Sequence, residues 1–239
     1  MDRLTRHDLK TDKFAREVGH TFEFLTRHGK EVKLYGLIAL AVLLLGGGYY
    51  FYARNQASAR QQALAQALRI DDAVVGTTPQ APNLIFATQQ EKDAARTKAF
   101  TDLSAKYHGT QEGAIAAIYV ASAQADKGNL AEAQKIYKDV MDSAPATFAS
   151  VAQLSLAELY AVEGKTDEAE KLLRALINRP TVLVSKEQAT LELGQMLAKT
   201  KPEEARKLLE PLRIGRTAVS RAAITALGTL PQPGQSQPN

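Results

Sequence analysis

The chain contains no cysteine. A disulfide framework, a thiolate nucleophile and a cysteine-ligated metal are therefore excluded, and so is the lipid-attached cysteine of a bacterial lipoprotein. The absence is compatible with either side of a membrane. Histidine is scarce: His7, His20 and His28 precede an apolar run at 34–53, and only His108 follows it. That excludes a histidine-rich metal cluster beyond the run, and His108, standing before Gly109, reads as a helix-end residue. There is no glycine-rich phosphate loop, because Gly46–Gly48 falls inside the apolar run. With 15 Gly and 9 Pro in 239 residues, a fibrous or wholly disordered chain is excluded. β-branched and aromatic runs are scarce, so almost no sheet is expected. No catalytic set stands out: the carboxylates occupy positions expected of solvated helix faces. Glu203 and Glu204 follow Pro202, which suits the first turn of a helix and its dipole. The reading is a non-enzyme with no cofactor, no metal and no small-molecule substrate.

Charge is nearly balanced, with 30 Lys and Arg against 26 Asp and Glu, net +4. Residues 1–33 hold eight Lys or Arg and six Asp or Glu, so half of that excess lies there. The rest is interspersed, which suits a soluble surface and gives no basic face for nucleic acid. Hydrophobic residues make up 45%, enough for a packed core. After residue 54, Ala, Leu, Glu, Lys and Gln dominate, and these are strong helix formers.

From Leu34 to Ala53 no residue is charged. Twenty residues at a helical rise span roughly 30 Å, the thickness of a bilayer core. Tyr35 at one end and Tyr49–Tyr52 at the other fit the interfacial aromatic belts. Arg16, Arg27, Lys30 and Lys33 flank the N-terminal side and Arg54, Arg60 and Arg69 the other. This bias points the N-terminus into the cytoplasm. A buried helix of a soluble domain and a cleaved signal peptide are the rival readings. Ala57-Ser58-Ala59 has the small-x-small form of a cleavage site, but the apolar stretch exceeds an h-region of about 7–15 residues and the preceding segment is long. An uncleaved anchor fits better. Before it, Phe14, Val18, Phe22 and Leu25 share one face of a helix predicted over 8–25. That helix lies along the inner membrane surface or docks on a partner helix.

Past the membrane run the chain repeats itself. Ala133, Ala169 and Ala205 recur at a spacing of 36, each after a Glu and each followed four residues later by Tyr137, Leu173 or Leu209. Upstream of them stand Ala121, Ala157 and Gly194, each after Val120, Leu156 or Leu193. Lys127-Gly128-Asn129, Glu163-Gly164-Lys165 and Thr200-Lys201-Pro202 read as the turns, and Pro145, Pro180 and Pro211 close the units. A fixed period of this kind means a helix–turn–helix unit repeated. The rival is a helical bundle with fortuitous spacing. Two helices cross tightly only where side chains are small, so these alanines and Gly194 are the predicted packing residues. Arg54–Val75 and Ile85–Tyr107 read as two further helices, with Leu64, Leu68 and Val75 striping the first and Phe100, Leu103 and Tyr107 the second. They form a degenerate first repeat, or the first continues out of the membrane as a stalk.

The pattern resembles the tetratricopeptide (TPR) signature, with Tyr160 in the aromatic slot after Ala157. The period exceeds the usual 34 or so, and Pro180 and Pro211 fall early. The resemblance implies an all-α solenoid of about three to four repeats whose first helices line a groove. Its groove positions fall on Ile118 and Ser122, Leu154 and Glu158, and Leu191 and Gln195. The apolar three are either ligand contacts or inter-repeat core. The paired Lys and Asn that clamp an acidic C-terminal peptide are missing there. The predicted order is therefore a basic amphipathic cytoplasmic segment over 1–33, a transmembrane helix over 34–53 and a helical connector or degenerate repeat over 54–110. A TPR domain with its capping helix follows over 111–227, then a disordered tail over 228–239.

With Leu103-Ser-Ala-Lys-Tyr-His-Gly109 through Leu173, this order is similar to that of the YfgM-like family, the ancillary subunit of the Sec translocon. That resemblance covers about residues 25–210. It implies an inner-membrane, single-pass protein whose repeats face the periplasm and bind proteins: translocon subunits, periplasmic chaperones or exported chains. A scaffold of another envelope machine, in cell-wall synthesis or division, would share anchor and fold, as would a cleaved, soluble periplasmic TPR protein.

Overall fold

The computed structural model describes residues 29–76, 85–215 and 217–231. The amphipathic helix predicted over 8–25, most of the loop at 76–83 and the tail from 232 lie outside the described residues. The chain divides into two units, Met1–Ala59 and Arg60–Asn239.

Helix α1 runs unbroken over Gly29–Asp71. Within the first unit every residue from Lys33 to Asn55 is exposed. The helix carries an 18-residue window of mean hydropathy 1.8, none of it buried. The core helix of a soluble protein of this size would instead be covered.

Among the described residues, the regular structure of the second unit is helical apart from one two-residue parallel pairing. Asp71 ends α1, and Val74–Val75 (β1) pairs with Ile85–Phe86 (β2) in the register Val74 to Ile85. The helices predicted to reach Val75 and to begin at Ile85 are thus shorter than expected. Thr88 explains the later start, because its hydroxyl accepts the Glu91 N–H at 3.1 Å as an N-cap. Val75, placed in the apolar stripe by its spacing, is 38% exposed.

The helices then follow in hairpins: α2 (Gln89–Lys106), α3 (Gln111–Asp126), α4 (Leu130–Ser143), α5 (Ala146–Val162), α6 (Thr166–Asn178), α7 (Lys186–Leu197) and α8 (Pro202–Leu209). A 3₁₀ turn over Glu210–Arg213 and a last helix α9 (Ala218–Gly228) complete the unit. Each element packs chiefly on the next along the chain, the arrangement of an α-solenoid. Gly128 and Gly164 open the first two intra-repeat turns at φ of 80° and 77°, a backbone region open to glycine at no steric cost. The third turn has no glycine; Lys201 takes an extended φ of −137° and Pro202 is the first helical residue, where its missing N–H costs no hydrogen bond.

The repeat alanines sit at the crossings. Ala121, Ala133, Ala157, Ala169 and Ala205 are each 0% exposed, and Gly194 is buried with them. Tyr137, Leu173 and Leu209 fill the space beyond. The early Pro180 is accommodated by a long connection at 179–185, in which the Thr181 and Ser150 hydroxyls bond at 2.7 Å. A smaller cluster joins Ala67 of α1 to Phe100 and Leu103 of α2 and Ala116 of α3. There the Arg60 guanidinium meets the buried Glu112 carboxylate at 3.2 Å. The predicted disordered tail begins too early: Leu230 is buried in the main core, and the Pro231 carbonyl accepts from Arg206.

Candidate protein-binding surfaces

The six groove candidates divide by chemistry. Leu154 and Leu191 are each 7% exposed and belong to the core cluster, with Ile118 half-buried against it. Of the two readings of these positions, the low exposure of the two leucines favours core over ligand contact. Ser122, Glu158 and Gln195 are exposed. The Ser122 hydroxyl bonds the Tyr137 hydroxyl at 2.9 Å, which ties α3 to α4. The exposed side of the first helices is therefore polar. Although the residue as a whole is exposed, partial desolvation of its carboxyl first, and repulsion from Glu192 second, push Glu158 above its ordinary value. Burial does the same to Glu192. Neither has an ion-pair partner among the described residues.

Between the second helices lie grooves that the repeat spacing alone does not show. One of about 500 Å³ runs between α2, α3 and α4, lined by Val120, Ile136 and Val140, with His108 at its rim bonded to Asp139 at 2.9 Å. His108 follows α2, consistent with its reading as a helix-end residue. A second, about 610 Å³, lies against α4, α5 and α6. A third, about 850 Å³, opens between α6, the start of α7, the end of α8 and the start of α9. Its floor is Ile177, Leu208, Leu212 and Val219, and Ile214 beside it is 92% exposed. The signal in the sequence was Pro211, which cannot continue a helix interior and ends α8 after 8 residues.

A charge network crosses α6 and α8. Glu170 takes hydrogen bonds from Lys201 Nζ at 2.9 Å and from Arg174, and Arg174 also pairs with Glu204. Lys201 first and Arg174 second hold the Glu170 carboxyl below its ordinary value. Tyr160 lies beneath two cations, Lys165 at 5.3 Å and Lys138 at 5.8 Å from its ring centre. These contacts bind helix to helix. No group of three or more metal-ligating side chains converges among the described residues. What the surfaces offer is apolar floor with charged rim, suited to a polypeptide.

No curated protein and no solved structure matches the chain. The sequence pattern of the tetratricopeptide repeat-like domain matches residues 23–207, a span that takes in the apolar run as well as the repeats. The chain belongs to the tetratricopeptide repeat-like domain family.

Proposed function

We propose that this chain is a membrane-anchored module that binds proteins on the extracytoplasmic side of the inner membrane, as an accessory of the Sec translocon linking exported chains to periplasmic chaperones. The observation that carries the reading is the uncharged, uncovered stretch of α1 between Leu34 and Ala53, on the chain that supplies the repeat solenoid. A fully exposed apolar helix of this length is stable in a bilayer and not in water. The family pattern begins at residue 23, before the apolar run, which supports an anchor and repeats acting as one architecture. The flanking cations favour an N-terminus inside. The translocon assignment rests on the likeness to the YfgM-like family.

In-cell crosslinking of the full chain in its native membrane, followed by mass spectrometry, tests this. Recovery of translocon subunits and periplasmic chaperones is the expected result. Recovery of wall-synthesis or division proteins instead would keep the anchor and move the role to a scaffold of another envelope machine.

A further inference from the structure

We propose that the groove between α6 and α8 docks a segment of another protein that carries two or three bulky apolar side chains and a net negative charge. The inference rests on the reading of the chain as a protein-binding module, and names the face and the chemistry of the partner. It places recognition where the ends of α6 and α8 meet the starts of α7 and α9, away from Ser122, Glu158 and Gln195.

The groove follows from a truncation. The second helices α4 and α6 run 14 and 13 residues, whereas Pro211 stops α8 at 8. The end of α6 therefore loses the neighbour that a full-length α8 would supply, and Ile177 stays half-covered. The 3₁₀ turn leaves Leu212 on the floor, partly buried against the core, and carries Ile214 to the rim instead of capping the gap. An open apolar floor of this size is costly to leave in water and marks an interaction site.

The chain's own tail does not suit the floor, because residues 232–239 contain no large apolar side chain. In the topology proposed above, residues 1–33 stand on the other side of the membrane from the groove. The rim then selects the partner. Lys186 and Lys207 are exposed and have no ion-pair partner among the described residues. Arg174 is a third cation, already engaged by Glu170 and Glu204. Glu187 is the one acidic side chain lining the groove. Such a rim attracts carboxylates and repels lysines, while the floor requires apolar anchors.

The test places a photoreactive phenylalanine at Ile214 of the full chain in its native membrane, and separately at Ser122 and Gln195. The crosslinked partner peptide is then sequenced by mass spectrometry. Ile214 is 92% exposed, so the replacement does not disturb the core. The expected result is a crosslink from 214 to an acidic segment of another protein with at least two bulky apolar residues. Its yield should fall about tenfold in the K186E/K207E double variant, with helicity unchanged. Four results overturn the proposal: capture only from 122 or 195, a basic segment, a second copy of this chain, or a yield indifferent to the charge reversals. Capture from no position at all would overturn the protein-binding reading as well, so the two failures are distinguishable.

Discussion

A Cβ on Gly194 would lie 2.6 Å from the Cγ and Cδ2 atoms of Leu209, a side chain with no exposure. At the matching places in the other repeats an alanine fits, so α7 and α8 cross more closely than their counterparts. Gly194→Ala should therefore destabilise the domain by about 1–2 kcal/mol, overpacking outweighing the better helix propensity of alanine. Urea unfolding of the full chain in detergent micelles, followed by helicity, measures this. Combining it with Leu209→Val should recover part of the loss, since the two sites share one space.

The pair between Arg60 and Glu112 joins a half-buried guanidinium to a buried carboxylate, with side-chain exposures of 26% and 7%. Arg60→Met strands a covered carboxylate and should cost about 1–3 kcal/mol. Arg60→Met with Glu112→Leu should cost less than the single change, because both charges then leave the interior. A double-mutant cycle by urea unfolding decides it. Equal losses in the single and double variants would mean that the packing of α1 on α3, and not the charge, is what the arginine supplies.

Two carboxyls should titrate with opposite signs. Glu170 is held below 4.5 in the folded state by Lys201 and Arg174. Its contribution is present above the unfolded value near 4.5 and is lost as pH falls through the lower folded value. Glu170→Gln should destabilise the domain at pH 7, by less than about 1 kcal/mol given how exposed its two cationic partners are, and the difference from the parent chain should shrink as pH falls below 4.5.

Glu158 is raised above 4.5 by burial and by Glu192. Its penalty is fully felt above the folded value and is relieved as pH falls towards 4.5. Glu158→Gln should raise the melting temperature at pH 7 and leave it unchanged near pH 4. A loss of stability at pH 7 would show that the carboxylate makes a contact worth more than its desolvation.

The repeat was legible because small residues at a crossing leave a periodic trace. Ala121, Ala133, Ala157, Ala169, Gly194 and Ala205 all lie where the spacing put them. The groove was less legible, because an apolar residue on a first helix fits a ligand contact and an inter-repeat core position equally well. Packing decides between them, and Leu154 and Leu191 went to the core. Leu154→Lys should accordingly abolish helicity by circular dichroism, while changes at Ser122 or Gln195 leave it intact. The ends of α1 and α2 were misplaced because Val74–Val75 and Ile85–Phe86 pair with each other, a tertiary contact that local propensity does not encode. Nor does periodicity reveal the long connection at 179–185, which takes up the extra residue between Ala157 and Gly194.

The measurement closest to the central claim is membrane topology. A reporter enzyme active only outside the cytoplasm is fused after residue 60 and, separately, before residue 33. Activity in the first fusion, none in the second and an uncleaved chain are together the predicted result, since an uncleaved N-terminus-inside anchor over 34–53 gives all three. The reverse pattern, or activity with the mature chain beginning after Ala59, would contradict a membrane-anchored module and leave a repeat domain on the other side or free of the membrane.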